Sequence, residues 1–228
     1  MSTVAGLVPF TSIDFPEHLA AVVFFKGCPL NCPFCHNPDL QMVDGQGVMS
    51  WQEVLQFLQT RQKRLDGAVF SGGEPLLQSD IVQCAQQVKQ LGFKLGIHTS
   101  GVYPDKLSEI LPYTDWVGLD VKAPWDKYDM LCGRQNIALK VQESLKILLD
   151  AGISFEARTT CDPIHLTPAD IVQIASDLKN MGVPVYALQK YRTFPGDKNP
   201  PAQLAISAFF KPENLISVQN LYPNLIIR

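Results

Sequence analysis

Three cysteines lie close together in the first part of the chain, where they could hold a metal cluster. The segment Lys26 to Pro38 reads KGCPLNCPFCHNP and places Cys28, Cys32 and Cys35 in a C-x3-C-x2-C spacing. A cubane iron-sulfur cluster takes one thiolate per iron, and a compact loop rich in turn-forming residues lets several thiolates converge on it. Only three thiolates are local, so the fourth iron would keep an open position that can bind and reduce a ligand. The spacing therefore predicts a catalytic 4Fe-4S cluster.

The same cysteines have plainer interpretations, namely a structural zinc site, a disulfide knot or buried thiols. Zinc sites normally close with a second pair of ligands at short spacing, whereas Cys84, Cys132 and Cys161 are single and scattered. His36 could be a fourth zinc ligand, but it directly follows Cys35, which makes joint ligation of one metal awkward. These alternatives stay open at the level of the residues alone.

Strand and helix patterns alternate along most of the chain. Six apolar runs are predicted as strands: Ala20 to Phe25, Ala68 to Phe70, Lys94 to His98, Trp116 to Val121, Ser154 to Thr159 and Val185 to Leu188. Helical patterns separate them: Ser50 to Leu65, Asp80 to Leu91, Pro104 to Leu111, Ile137 to Ala151 and Pro168 to Met181. This alternation favours an α/β fold with a parallel sheet and outer helices, either open and doubly wound or curled into a partial barrel.

The two ends of the chain lack this alternation. Residues 1–18 show little periodicity and are predicted to form an extended N-terminal cap. Residues 192–228 are predicted as a C-terminal extension that packs on the barrel, with a proline-rich loop, two helices and a short closing strand at 223–227. No linker or internal repeat interrupts the sequence, so a single domain over residues 1–228 is predicted.

Composition excludes several classes of function. The chain has 228 residues, 46% of them hydrophobic, and a formal net charge of −3. It therefore supplies no basic field, and nucleic acid is not predicted as a partner. The sequence shows neither a leader pattern nor an apolar run of membrane-spanning length, so no membrane association and a cytoplasmic location are predicted. A reducing compartment also suits six cysteines that are too few for a disulfide scaffold.

A glycine-rich turn follows the second predicted strand. In parallel α/β folds the ligand site lies at the carboxyl ends of the strands, so the residues just after each apolar run are the candidates for chemistry. Gly72 and Gly73 would let the main chain approach a ligand closely, and Glu74 could accept a hydrogen bond or bind an ammonium group before Pro75. The alternative is a tight strand-to-helix turn with a solvent-facing glutamate.

Hydroxyl and charged residues follow the next strands. Thr99 and Ser100 offer hydroxyl groups for a ribose or a carboxylate, unless they only form a turn. Asp120 and Lys122 lie two positions apart, so on a strand they face the same side and can both enter the site. Their alternative is a mutual ion pair. His98 is assigned a structural role, because a lone histidine has many uses.

The last two strands end in basic and amide groups. Arg158 could hold a carboxylate, although a structural pair with Glu156 or Asp162 is nearly as well supported. Gln189 and Arg192 flank the end of the sixth strand and are weaker candidates.

In these residues the chain resembles the radical S-adenosylmethionine superfamily and, within it, the small activases of glycyl-radical enzymes. The resemblance is carried by TSIDFP at 11–16, by the strand and loop at 24–38 with its Cys-His-Asn-Pro, by Gly-Gly-Glu-Pro at 72–75 and by Asp-Val-Lys at 120–122. The greatest likeness is to the activating proteins of anaerobic ribonucleoside-triphosphate reductases. Glu17 departs from the family, which usually has glycine there, and only the shape of that turn is affected.

The resemblance implies a partial barrel of six strand-helix units and two cofactors. Cys28, Cys32 and Cys35 would hold a 4Fe-4S cluster whose unique iron is chelated by S-adenosylmethionine. The turn from Gly72 to Pro75 would hold the methionine amino group of that cofactor. Further positions match the nucleoside and methionine carboxylate contacts of the family: Thr99, Ser100, Asp120, Lys122 and Arg158.

The resemblance also implies the reaction and the partners. Reductive cleavage of S-adenosylmethionine would produce a 5′-deoxyadenosyl radical, which would take a hydrogen atom from a glycine of a large partner enzyme, in the first instance an anaerobic ribonucleotide reductase. A flavodoxin or ferredoxin would donate the electron. Two alternatives are kept: a radical enzyme acting on another protein or a small molecule, and a non-catalytic iron-sulfur or zinc module.

Overall fold

A computed structural model describes residues 2–42, 47–193 and 200–228. Eight strands form one sheet in the order in which they occur along the chain. They are β1 (Val4–Thr11), β2 (Ala20–Phe25), β3 (Gly67–Gly72), β4 (Lys94–Thr99), β5 (Trp116–Asp120), β6 (Phe155–Cys161), β7 (Tyr186–Lys190) and β8 (Ile226–Ile227). Strand β1 is antiparallel to β2, and all other neighbours are parallel. The predicted parallel sheet of six strand-helix units is therefore confirmed for β2 to β7.

Helices cover the outer face of this sheet. They are α1 (Trp51–Arg61), α2 (Ile81–Gln90), α3 (Pro104–Ile110), α4 (Trp125–Cys132), α5 (Ile137–Ala151), α6 (Pro168–Asn180), α7 (Gln203–Ala208) and α8 (Pro212–Leu221). Side-chain caps fix two of their starts: Ser50 and Thr167 each form a capping box with the acidic residue three positions later. Because both faces of β2 are covered, its run AAVVFF is apolar throughout rather than alternating.

Two elements differ from the sequence prediction. Eight residues of the predicted N-terminal cap, Val4–Thr11, form strand β1 at the edge of the sheet, where the ladder tolerates a proline such as Pro9. Helix α4 was not predicted, although its buried residues Tyr128, Leu131 and Cys132 follow a helical spacing. It is short and ends at Gly133, whose φ of 65° lies in the left-handed region.

The C-terminal segment agrees with the prediction where it is described. Helices α7 and α8 and the short strand β8 occur where the pattern places them. Residues 194–199 of the predicted proline-rich loop lie outside the described residues. The assignment of residues 1–228 to one domain stays a prediction. None of the helices in the described ranges combines the length and the apolarity that a bilayer crossing requires.

A small apolar cluster fills the inside of the curved sheet at the amino ends of its strands. Its members are Phe15, Ala20, Val22, Val69 and Trp116. Phe15, from the connection between β1 and β2, stacks on Trp116 with ring centroids 6.0 Å apart. Because this cluster occupies the amino ends, the space inside the sheet opens toward the carboxyl ends.

Candidate active site

The carboxyl ends of the parallel strands surround a cavity of about 720 Å³. Ten of the predicted site residues line it: Cys28, Cys32, Cys35, Gly72, Gly73, Thr99, Ser100, Asp120, Lys122 and Arg158. Glu74 and Pro75, the other two, are fully or largely buried and do not line this cavity. Five separate strand ends therefore present candidate groups to one space, as expected for a parallel α/β fold.

The cysteine loop, residues 26–38, is fixed by backbone hydrogen bonds to two other parts of the chain. The amide of Gly27 donates to the carbonyl of Leu40 at 2.8 Å, and the amide of Cys28 donates to Gln41 at 3.1 Å. Gly27 has a φ of 94°, so the chain leaves β2 in a conformation that favours glycine. The loop is thus folded back onto the residues that follow it.

The end of α4 holds the middle of the same loop. The amide of Asn31 donates to the carbonyl of Cys132 at 3.1 Å, and Nε of Arg134 donates to the carbonyl of Pro29 at 3.1 Å. The cysteine loop therefore rests on main-chain contacts made by the residues between its thiols.

The three thiols face the cavity as free cysteines. Burial raises the pKa of Cys28 to about 12 and also raises the pKa of Cys35. A hydrogen bond from the buried thiol of Cys132 lowers the pKa of Cys32 to about 7. The ammonium of Lys122 favours the thiolate form at all three positions.

These thiols fit a cluster better than a single metal ion. In the described ranges, no three His, Cys, Asp or Glu side chains converge closely enough to hold one ion. A cubane instead takes one thiolate at each of several irons, so its ligands stand further apart than those of zinc. The free thiols of Cys28, Cys32 and Cys35 line one cavity together with the cation of Lys122, and this arrangement suits such a group.

The glycine turn lies directly against the start of the cysteine loop. At Gly72, with a φ of 121°, a Cβ would lie 2.2 Å from the carbonyl oxygen of Phe25. At Gly73 a Cβ would lie 2.3 Å from the carbonyl oxygen of Gly27. Main-chain bonds join the two segments, because the amide of Gly73 donates to Phe25 at 2.9 Å and that of Glu74 donates to Gly27 at 2.8 Å. Only glycines permit this contact.

The carboxylate of Glu74 is fully buried and ties this turn to the end of β4. It accepts hydrogen bonds from the hydroxyls of Thr99 (2.8 Å) and Ser100 and from the amides of Ser100 (2.8 Å) and Leu76 (3.1 Å). Burial raises the pKa of Glu74 and outweighs the four donors, which favour the charged form. The side chain thus positions Thr99 and Ser100 instead of facing the cavity.

Three charged residues also line the cavity and are called here the charged wall: Asp120, Lys122 and Arg158. Oδ1 of Asp120 accepts from Nε and Nη2 of Arg158 at 3.0 and 2.8 Å, and Oδ2 accepts from Nζ of Lys122 at 3.2 Å. Burial opposes ionisation of Asp120, but its two cationic partners hold its pKa well below the usual range. Arg158 pairs with Asp120 rather than with Glu156 or Asp162, the two partners considered from the sequence.

Several cavity residues were not among the predicted site residues: Asp14, His36, Asn37, His98, Thr160, Lys190 and Arg228. Thr160 could have been found from the sequence, because it lies two positions after Arg158 on the same strand. Arg228 gives no such signal, since it enters the cavity from β8 and makes two hydrogen bonds to Glu156, at 2.6 and 2.8 Å. Gln189 and Arg192, the weaker candidates, also line the cavity.

Fold and site define the class of protein. The family model "Radical SAM superfamily" matches residues 22–178, which include the cysteine loop, the glycine turn and the charged wall. The chain belongs to this superfamily, whose members use a 4Fe-4S cluster and S-adenosylmethionine.

Two sequence relatives indicate the branch of the superfamily to which the chain belongs. MJ1227 of Methanocaldococcus jannaschii, whose name assigns it to the glycyl-radical enzyme activating enzymes, is 32% identical over 198 residues, which cover 82% of this chain and 79% of the relative. The pyruvate formate-lyase-activating enzyme of Clostridium pasteurianum is 32% identical over 176 residues, 74% of this chain and 73% of the relative. The chain is therefore a member of the family of glycyl-radical-enzyme activating enzymes, and it is an enzyme.

Solved structures support the fold alone. Streptococcus suis SuiB bound to S-adenosylmethionine superposes with a TM-score of 0.70 at 16% identity, over 89% of this chain and 48% of SuiB. The chain thus spans about half the length of SuiB. A radical SAM methyltransferase from Sphaerobacter thermophilus superposes with a TM-score of 0.69 at 14% identity, over all of this chain and 76% of that one. The predicted partial barrel is confirmed.

Proposed function

We propose that this protein forms a glycyl radical on an anaerobic ribonucleotide reductase. It is an activating enzyme of glycyl-radical enzymes, and such enzymes act on a protein substrate. The observation that carries the proposal is the presence of the three cysteines, the glycine turn and the charged wall on one cavity. The lead-in at 11–16 and the Cys-His-Asn-Pro segment, which resemble the reductase activases, support the choice of partner.

Each side of the cavity has its own part in this proposal. Cys28, Cys32 and Cys35 would hold the cluster, and the main chain at Gly72 and Gly73 would receive the amino group of S-adenosylmethionine. Thr99 and Ser100 offer hydroxyls close to the same turn, where Glu74 positions them.

The charged wall would receive the carboxylate and the ribose. Lys122 and Arg158 supply positive charge, while Asp120 offers carboxylate oxygens to hydroxyl groups. Together the bound cluster and cofactor supply one-electron chemistry that ends in removal of a hydrogen atom from a glycine. The protein's own contribution is positioning and the exclusion of water by the apolar cluster around Phe15. A flavodoxin or ferredoxin in the cytoplasm is the proposed electron donor.

The test is anaerobic reconstitution with two candidate substrates. The cluster is assembled and reduced, S-adenosylmethionine is added, and 5′-deoxyadenosine and methionine are measured by chromatography. Purified anaerobic ribonucleotide reductase and purified pyruvate formate-lyase are then compared for the glycyl radical by electron paramagnetic resonance. A radical on the reductase alone supports the proposal.

Other outcomes would change the proposed partner or the proposed function. A radical on the formate-lyase, the partner named in the Clostridium pasteurianum relative, would overturn the choice of reductase. Cleavage of the cofactor without a radical on either protein would favour another protein or a small molecule as substrate. A reducible cluster with no cleavage, even when a partner is present, would favour an electron-transfer module.

A further inference from the structure

The groups assigned above to the cluster and to S-adenosylmethionine form only part of the cavity lining. Each of them lies on, or directly after, one of the strands β2 to β6. The last three strands and their ends add five polar lining residues without such a role: Thr160, Gln189, Lys190, Arg192 and Arg228. Because a hydrogen atom is transferred only between groups in contact, the substrate must lie in this cavity beside the cofactor. These five residues are therefore candidates for contact with the substrate.

Two of the five residues are direct neighbours at the carboxyl end of the sheet. Thr160 on β6 is paired in register with Gln189 on β7, and both residues line the cavity. They are called here the polar pair. Two positions earlier on each strand, on the same face, Arg158 of the charged wall is paired with Ala187. Two residues of strand advance about 6.6 Å, so the polar pair lies one layer nearer to the carboxyl ends than Arg158 does.

The polar pair has unused hydrogen-bonding capacity. Within residues 2–42, 47–193 and 200–228, neither the hydroxyl of Thr160 nor the carboxamide of Gln189 has a hydrogen-bond partner, and both residues are half-buried. The preceding hydroxyl differs, because Thr159 is fully buried, donates to the carbonyl of Val121 at 2.7 Å and accepts from the hydroxyl of Tyr186 at 2.9 Å. Thr159 therefore stabilises the fold, whereas the polar pair presents its groups to the cavity.

The cations on the strands around the polar pair are already neutralised. Arg158 is paired with Asp120, and Arg228, whose main chain is bonded to residues 188 and 190, makes two hydrogen bonds to the buried Glu156. The other two cations among the five residues are exposed at the end of β7. A hydroxyl and a carboxamide are uncharged, and each can both donate and accept a hydrogen bond. A peptide unit is also uncharged and has one N–H donor and one C=O acceptor. The polar pair therefore suits a polypeptide main chain better than an anionic small molecule.

We propose that the polar pair binds the main chain at the reactive glycine of the partner enzyme, through hydrogen bonds to peptide N–H and C=O groups. The inference rests on the proposed function, because it requires a polypeptide substrate. Binding at this layer holds the Cα–H of the glycine toward the cofactor, which lies between the glycine turn and the charged wall. Because every glycine loop has the same main chain, the polar pair acts in the same way on any glycyl-radical partner.

The test follows the hydrogen atom that leaves the substrate. Anaerobic ribonucleotide reductase is produced with glycine deuterated at Cα and is mixed with the reconstituted, reduced activating enzyme and S-adenosylmethionine. The glycyl radical is measured by electron paramagnetic resonance, and 5′-deoxyadenosine and its deuterium content are measured by mass spectrometry. Gln189→Leu and Thr160→Val remove the hydrogen-bonding groups at nearly constant size. Thr160→Ser keeps the hydroxyl, and the control Gln52→Leu changes an exposed glutamine on α1 in the same way.

We expect Gln189→Leu and Thr160→Val each to lower two ratios roughly tenfold, the effect of losing one well-formed hydrogen bond. The ratios are the glycyl radical formed per 5′-deoxyadenosine and the deuterated fraction of that product. Cleavage that misses the glycine takes hydrogen from other C–H or S–H groups, whereas a general loss of activity would leave both ratios unchanged. Thr160→Ser and Gln52→Leu retain the wild-type ratios. If Gln189→Leu does not take up its cluster, Gln189→Glu, which keeps an acceptor but no donor, replaces it and should lower the same ratios.

The contrary outcomes separate this inference from the proposed function. If wild type activates the reductase and the variants keep its ratios, the polar pair does not bind the substrate and the proposed function stands. Unchanged ratios with a raised KM for S-adenosylmethionine would show that the pair contacts the cofactor instead. If wild type forms no radical on the reductase, the variants are compared on deuterated pyruvate formate-lyase. A radical there, with lowered ratios in the variants, overturns the choice of reductase and supports the polar pair. No radical on either protein overturns both proposals.

Discussion

The cysteine loop and the charged wall line the same cavity but are built in opposite ways. The loop is a single continuous segment, and main-chain hydrogen bonds hold it to residues 40, 41 and 132. The wall joins Asp120 and Lys122, at the end of β5, to Arg158 on β6 through side-chain ion pairs. A thiol can therefore be removed without loss of the contacts that support the loop, whereas the wall depends on each of its own charges.

The largest expected effect is the loss of the cluster and of S-adenosylmethionine cleavage when a cysteine of the loop is replaced, while the fold is retained. Cys32→Ala removes one of three cluster ligands, so iron and sulfide content and formation of 5′-deoxyadenosine should fall to background. The unfolding free energy of the cluster-free chain should change by only about 1 kcal/mol. Cys161→Ala is the control, because Cys161 is buried away from the cavity. Undiminished cleavage in Cys32→Ala would refute the cluster assignment.

Removing a charge from the charged wall should lower the stability of the protein as well as its binding of the cofactor. Asp120→Asn leaves the cations of Lys122 and Arg158 without their carboxylate, and breaking a buried pair in this way is strongly destabilising. We expect a loss of about 3 kcal/mol in unfolding free energy, the lower end of the range, because the Asp120 side chain is 33% exposed.

Urea denaturation of the cluster-free chain measures this loss, with the exposed Glu143→Gln as control. Unchanged stability of Asp120→Asn would mean that the wall, like the loop, does not depend on its side-chain charges. The comparison between the two regions would then be wrong.

Glu74 tests the link between the glycine turn, which lies against the cysteine loop, and the end of β4. In Glu74→Gln the carboxamide nitrogen would face groups that are themselves donors, so at least one buried hydrogen bond is lost. We expect a loss of about 2 kcal/mol in unfolding free energy and a higher KM for S-adenosylmethionine, since Thr99 and Ser100 lose their support. A raised KM at wild-type stability would instead indicate direct contact between Glu74 and the cofactor.

The prediction with the smallest effect at pH 7 concerns His98, which lies beside the wall. Burial, and then the charge of Arg158, lower its pKa to about 3, and its Nε2 donates to the carbonyl of Asp14 at 2.8 Å. Below about pH 6.5 this histidine binds a proton in the unfolded chain, but in the folded chain it stays neutral down to about pH 3. The free energy of unfolding therefore decreases as the pH is lowered through this window.

The slope due to one such proton is at most about 1.4 kcal/mol per pH unit. Unfolding free energy measured between pH 7 and pH 4 should fall less steeply in His98→Gln than in wild type. Parallel curves for the two proteins would show that His98 accepts its proton as readily in the fold as outside it.

The sequence predicted the loop and the parallel strands well because both are local patterns. The three cysteines of the C-x3-C-x2-C spacing lie within one short segment. Apolar runs such as Ala20–Phe25 can be recognised without knowing which strands they pair with. The edge strand β1 was missed because it is half exposed and contains Pro9. Its strand conformation comes from pairing with β2, a contact that no local pattern contains.

The ion pair between Asp120 and Lys122 was considered from the sequence, but the other partners within the site could not be predicted, for the same reason. Arg158 had candidate partners near it in sequence, yet it pairs with Asp120, 38 positions away. Glu74 was predicted either to bind a ligand or to face the solvent, but it is buried and bonded to Thr99 and Ser100 at the end of the next strand. Residue types indicated which groups carry chemistry, and only the fold decides which groups they contact.

The backbone support of the cysteine loop has a consequence for how the protein is made. The hydrogen bonds of Gly27, Cys28 and Asn31 to the rest of the chain join main-chain amides to carbonyls and do not involve the thiols. Small zinc domains, by contrast, gain their folding free energy from the metal and are unfolded without it. Here the main-chain contacts of the loop do not use the thiols, so we expect the chain to fold before its cluster is inserted and cluster insertion to be a late step of maturation.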